Sequence, residues 1–145
     1  MGPCATGDVG SAKEVTSHER TVFVVDDDAS VRRALVRLIR SSGYETEAFE
    51  SAAAYLDRAV VKLPDCLVLD VRMPETNGLE LQQRTRNTPL EVPVVLITGH
   101  GDEEVRRQGL ELGAVAVLFK PLEEKLLLEA IAKGLATSAP GGDRS

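Results

Sequence analysis

The sequence predicts an α/β fold built on a parallel sheet, and three observations carry that prediction. Short continuous apolar runs recur along the chain: Thr21–Val25, Cys66–Leu69, Val92–Thr98 and Ala114–Phe119. Continuous β-branched runs of this length suit strands buried on both faces. Stretches with helical periodicity lie between them. Strand and helix alternate five times, the pattern of βαβ units with right-handed crossovers.

The first strand is Thr21–Val25, TVFVV. In the helix after it, Val31, Ala34, Leu35, Leu38 and Ile39 recur at i, i+3, i+4, i+7 and i+8, with Arg32, Arg33, Arg37 and Arg40 on other faces. Gly43 ends it as a C′ residue. Tyr44–Phe49 is a weaker run that alternates, as an edge strand does. A helix over Ser51–Val61 leads to the strand Cys66–Leu69, and a helix over Gly78–Asn87 leads to the strand Val92–Thr98. The fourth helix, Asp102–Leu112, stops at Gly113. The strand Ala114–Phe119 precedes a last helix over Leu122–Ala136, in which Leu128, Ile131 and Leu135 share a face.

The predicted organisation is a flexible N-terminal tail over 1–20, one domain over 21–136, and a flexible tail or linker stub over 137–145. At 145 residues the chain is of single-domain size. A domain of that size buries roughly 68–70% of the surface of its unfolded chain, enough to fold without disulfides or metal. Aromatic residues make up 3% of the chain and Trp is absent, which argues against a base-stacking RNA surface. The net charge of −6 argues against direct nucleic-acid binding. No run of 18 apolar residues occurs, so no membrane span is expected, and the N-terminus lacks a secretory signal pattern. Cys4 and Cys66 match no metal-binding spacing, and Cys66 reads as a small core residue. The expected setting is the cytoplasm.

Parallel α/β sheets bind ligands beyond the carboxyl ends of their strands. The polar residues that follow the apolar runs are therefore the ones to examine. They are Asp26, Asp27 and Asp28 after the first, Asp70 after Cys66–Leu69, Thr98 at the end of its run and Lys120 after the last. Read singly, each has an ordinary explanation. Asp27 or Asp28 suits an N-cap, with Asp28 preferred. Asp70 and Thr98–Gly99 suit turns, and Lys120 suits a loop. Together they place carboxylates, a hydroxyl and an ammonium around one crevice. Clustered carboxylates repel by several kcal/mol at intermediate dielectric. A hard divalent cation such as Mg2+ offsets that. The set fits phosphoryl transfer to a carboxylate, with metal and lysine neutralising the equatorial oxygens and the following helix N-terminus adding positive potential.

The motifs Val24–Asp28 (VVDDD), Leu67–Pro74 (LVLDVRMP) followed by Asn77–Gly78, Leu96–Asp102 (LITGHGD) and Leu118–Pro121 (LFKP) resemble, in order and spacing, a two-component response-regulator receiver (CheY-like) domain. The resemblance covers about 21–136. It implies the flavodoxin-like (βα)5 three-layer sandwich with a parallel sheet of order 2-1-3-4-5. Residue by residue, it implies that Asp70 is the phosphoacceptor. Asp27 and Asp26 are acidic Mg2+ ligands, Asp26 usually through water, and the backbone carbonyl of Arg72 is a third protein ligand. Thr98 is the switch hydroxyl, and Lys120 the lysine that pairs with the phosphoryl group and is usually followed by a cis proline bond.

The implied partner is a sensor histidine kinase, and the implied activity is the domain's own phosphoryl transfer with slow autodephosphorylation. The implied output is a change of the fourth helix, fifth strand and fifth helix that controls a homodimer or an output domain. The LITGHGD stretch resembles the branch fused to a helix-turn-helix output domain, so DNA contact is expected only through such a domain. Arg106, Arg107, Glu103 and Glu104 read as interface charges or as a solvated helix face. His100 reads as a loop residue, and Arg72 and Met73 as lining the crevice. One departure stands out. The family usually has Tyr or Phe three residues before the lysine, and here that residue is Val117.

Three other classes fit less well. A haloacid-dehalogenase-like phosphatase needs a second acid two residues after its nucleophile, where this chain has Arg72. A receiver-like interaction module that is not phosphorylated loses acids or lysine that are all present here. A nucleotide-binding domain needs a Gly-rich phosphate loop, which does not occur.

Overall fold

The strand runs of the sequence become a single five-stranded parallel sheet in the computed structural model. The structure describes residues 20–73, 76–99 and 101–138. Of the tails predicted at 1–20 and 137–145, residues 1–19 and 139–145 lie outside these residues, as does His100, while Thr137 and Ser138 belong to the last helix rather than to a tail.

In chain order the elements are β1 (Thr21–Val25), α1 (Ala29–Ser41), β2 (Glu45–Phe49), α2 (Ala52–Ala59), β3 (Cys66–Asp70), α3 (Gly78–Thr85), β4 (Val94–Thr98), α4 (Glu103–Glu111), β5 (Ala116–Phe119) and α5 (Glu124–Ser138). The sheet order is β2-β1-β3-β4-β5, which is the expected 2-1-3-4-5. The alternating strand β2 is indeed at an edge. In-register pairs such as Val24 with Val68 and Leu69 with Leu96 bring the strands' carboxyl ends to one level.

The strands are apolar throughout because both faces are covered. Val22, Val24, Val68, Val95 and Ile97 face α1 and α5, where they meet Leu35, Ile39, Leu127, Ile131 and Leu135. The alternate residues Phe23, Val25, Leu67, Leu69 and Leu96 pack with Ala52, Tyr55 and Leu81 of α2 and α3 and with Val105 of α4. This alternation is the two-residue period of a strand sandwiched between two helical layers. Phe23, Phe49 and Tyr55 form an aromatic trio with centroids 5.3–6.3 Å apart, Tyr55 meeting both phenylalanines edge-on.

Local chemistry sets the helix ends. Asp28 is the N-cap of α1, its carboxylate accepting from the N–H groups of Ser30 and Val31. Ser51, Asn77 and Asp102 cap α2, α3 and α4 in the same way. Gly43 and Gly113 follow α1 and α4 with φ of 95° and 99°, a conformation that disfavours other residues.

Several boundaries differ from the sequence reading. β4 starts at Val94 rather than Val92, because Pro93 has no N–H to give a ladder. β5 starts at Ala116 rather than Ala114. α5 runs over Glu124–Ser138 rather than Leu122–Ala136. Its buried face is led by Leu127, with Ala130, Ile131 and Leu135, while Leu128 is only half-buried beside it. Arg32, off the apolar stripe, is half-buried, and its guanidinium donates to the Asp26 carbonyl at 2.7 Å.

Close approach requires a glycine at 78 and favours one at 109. A Cβ on Gly78 would lie 2.7 Å from the Asp70 carbonyl oxygen and 2.9 Å from the Val71 Cα, both rigid backbone. A Cβ on Gly109 would meet the tip of the Leu96 side chain, which can move. Gly78→Ala is therefore expected to lower unfolding free energy by roughly 1–3 kcal/mol, an overpacking cost. Gly109→Ala should cost less. Chemical denaturation of the two variants checks the ranking.

Candidate functional site

Four strand ends bring their polar residues together at the carboxyl edge of the sheet. Asp26 directly follows β1, Asp70 ends β3, Thr98 ends β4 and Lys120 directly follows β5. The N–H of Lys120 donates to the Thr98 carbonyl at 2.9 Å, which ties the ends of β4 and β5 together.

Asp26 is 1% exposed and Asp70 3%. One oxygen of Asp26 accepts from the Asp28 N–H at 2.9 Å. Its other oxygen is buried and has no hydrogen-bond partner among the described residues. Asp70 Oδ1 accepts from the Arg72 N–H at 3.2 Å, and Oδ2 lies 3.7 Å from Lys120 Nζ. Asp27 is exposed, at the mouth. Carboxylate oxygens of Asp26, Asp27 and Asp70 all lie within 4.8 Å of one another.

Burial pushes both inner carboxyls above their ordinary range. For Asp70 desolvation is the largest cause, followed by the charge of Asp26, and Lys120 only partly opposes them, leaving its pKa at about 6. Asp26 is also raised, first by desolvation, against the lowering effects of the Asp28 N–H and Lys120. A buried acidic oxygen with no donor, in a set of oxygen ligands with no thiol or imidazole, suits a hard divalent cation.

Thr98 is 0% exposed and its hydroxyl has no hydrogen-bond partner among the described residues. Such a group is costly unless another state of the site satisfies it. The Lys120–Pro121 bond is cis, as the resemblance implied. Arg72 reaches across the mouth to Asp102, with Nη2–Oδ2 at 3.3 Å, and Met73 lines the adjoining groove with Asp27. Asp28 is spent on capping α1 and stays outside the cluster.

Sequence reasoning missed three contacts around the site. One is the Arg32 bond to the Asp26 carbonyl. Another is the Arg72–Asp102 pair, since a distance of 30 positions along the chain leaves no local signal. The third is buried Gln82, whose amide donates to the Gly109 carbonyl at 3.2 Å and joins α3 to α4. Its only trace in the sequence is its place three residues after Leu79 on the inner face of α3.

The elevated carboxyls link stability to pH with a definite sign. Between the unfolded value of 3.8 and the folded value of about 6, the folded Asp70 holds a proton that the unfolded chain has lost. Stability therefore falls as pH rises through that window and stays reduced at neutral pH. In metal-free buffer at pH 7.5, Asp70→Asn is expected to be more stable than the wild-type chain by roughly 1–2 kcal/mol, after allowance for solvent screening. The difference should shrink toward pH 4. Thermal melts across that range check it, and an Asp70→Asn chain less stable at pH 7.5 contradicts it.

The sequence pattern of the family described as Response regulator receiver domain matches residues 22–132. The response regulator protein TodT of Pseudomonas putida is 36% identical over 133 residues, covering 92% of this chain and 57% of TodT. Nodulation protein W of Bradyrhizobium diazoefficiens is 42% identical over 115 residues, covering 79% of this chain and 51% of that protein. The chain thus spans about half the length of the curated relatives it matches. Among solved structures, a response regulator receiver protein from Burkholderia phymatum is 42% identical with a TM-score of 0.73, covering 84% of this chain and 99% of that one. FixJ-N is 33% identical with a TM-score of 0.77, covering 82% and 95%.

Proposed function

The chain belongs to the response regulator receiver domain family, and on that footing we propose that it is a phosphorylation-activated switch of a two-component system. Asp70 is the phosphoacceptor and a sensor histidine kinase the donor. The observation that carries this reading is the convergence of Asp26, Asp27, Asp70 and Lys120 on one crevice, with Lys120 Nζ 3.7 Å from the Asp70 carboxylate.

An Asp70 oxygen attacks the phosphorus of a phosphohistidine. The O–P bond forms, the N–P bond breaks, and the imidazole leaves with the electron pair and takes up a proton. Asp26, Asp27, Asp70 and the backbone carbonyl of Arg72 would hold Mg2+, whose charge neutralises phosphoryl oxygens. Lys120 pairs with the phosphoryl group once it is on Asp70. The unpartnered Thr98 hydroxyl then has an acceptor, and its turn toward the phosphoryl oxygens biases α4 and β5, which Thr98 and Lys120 flank. The domain is a phosphoacceptor rather than a classical enzyme; its catalysis is limited to its own transfer and slow autodephosphorylation.

Val117, in place of the usual aromatic residue, has no ring to rotate. The signal passes instead through the packed surface of α4, β5 and α5, which controls a homodimer or an output domain. On α4, Arg107 pairs with Glu104 and Glu111 of its own helix, so these charges act mainly as a solvated face. Relatives named as transcriptional regulators are longer than this chain. Contact with DNA is assigned to that further part and not to a chain of net charge −6. No helix among the described residues is long and apolar enough to cross a membrane, and the setting proposed is the cytoplasm.

Incubation with acetyl phosphate and Mg2+, followed by intact mass measurement, tests the chemistry apart from the switching. The wild-type chain and Thr98→Ala are expected to gain one phosphoryl group, and Asp70→Asn none. Chelating the metal first should abolish the gain. Only the wild type should then change its elution volume or its NMR spectrum around α4 and β5. A phosphoryl group on Asp70→Asn, or none on the wild type even with a phosphorylated kinase, overturns the assignment.

A further inference from the structure

The end of the sheet opposite Asp70 carries a groove that the phosphoryl chemistry does not use. It has a volume of about 460 Å3 and is lined by Leu63, Pro64, Pro89, Val92, Pro93 and Val115, the residues that lead into β3, β4 and β5. Beside it, at the end of α2, Val60 and Val61 are 70% and 75% exposed. Adjoining exposed apolar residues around a groove mark a surface that another chain segment covers.

We propose that this groove seats the segment that follows α5, residues 139–145. The placement of α5 is the main argument. Thr137, one residue before the end of that helix, itself lines the groove, so the chain that continues from Ser138 starts at its wall. Seven residues reach up to about 25 Å when extended, enough to cross it. The segment opens with Ala139-Pro140. Proline brings apolar surface without an N–H that burial would strand. Arg144 follows within reach of Glu91, an acidic residue of the groove wall. Arg20 also pairs with a residue of this wall, Asp65, and donates to the Leu135 carbonyl at 2.7 Å, so the segment that precedes it is the competing occupant that the test must separate. The consequence is directional: whatever follows α5 is held against the base of the domain, away from the phosphorylation site, and does not swing freely.

The test uses the full chain, 15N-labelled, with residues 139–145 replaced in place by a Gly/Ser sequence of equal length. The amides of Leu63, Asp65, Glu91 and Val92 are expected to shift on replacement, while those of Asp26, Asp70 and Thr98 stay fixed. Leu63→Asp in the natural chain should produce the same shifts at Glu91 and Val92, and replacing the segment in that variant should add nothing. Unmoved groove amides overturn the proposal. So does movement that follows deletion of residues 1–19 but not replacement of 139–145, since the N-terminal segment is then the occupant. Phosphoryl uptake from acetyl phosphate is unaffected in either case, so failure here is separable from failure of the Asp70 assignment.

Discussion

The crowding of carboxylates at one end of the sheet is the constraint on which the rest depends. Two ionised oxygens about 4.8 Å apart repel by roughly 3–4 kcal/mol at an effective dielectric of 20, and three acids meet within that distance here. Lys120 offsets part of this from 3.7 Å. Burial of Asp26 and Asp70 works the other way, and their raised pKa values record the imbalance. A domain built only for stability would not keep this arrangement. It is suited to receiving positive charge and, with it, a phosphoryl group.

The fold makes that crowding possible. Parallel strands covered on both faces by helices bring every carboxyl end to the same edge, and in-register pairing sets the ends level. Gly78 lets α3 start directly against the Asp70 backbone. The Lys120 N–H fixes β5 to the end of β4 through the Thr98 carbonyl. The same contact places the buried, unpartnered Thr98 hydroxyl and the lysine on neighbouring strands, so that a new charge on Asp70 acts on both.

The strand runs and the strand-end residues were legible in the sequence because they obey local rules: continuous β-branched runs, glycine stops and N-cap residues. The edge position of β2 showed in its alternation, and Asp28 as a cap showed in its place before the first apolar stripe. What was not legible depends on distance through space. The Arg72–Asp102 pair and the Gln82–Gly109 bond join loops and helices far apart in sequence. The Arg32 bond to the Asp26 carbonyl depends on a partner that periodicity does not see. The start of α5 lies two residues later than the pattern suggested, and Leu127 rather than Leu128 joins Ile131 and Leu135 in its buried stripe. The strand order followed from resemblance, not from any single residue.

The most direct measurement is the titration of the Asp70 side-chain carboxyl by 13C NMR, with and without Mg2+. The account predicts a midpoint near 6 in metal-free buffer and a large downward move when Mg2+ is added, as the cation favours the ionised form. A midpoint at the ordinary value of 3.8, unmoved by Mg2+, would contradict it, because the crowded acids would then be neither strained nor poised to bind a cation.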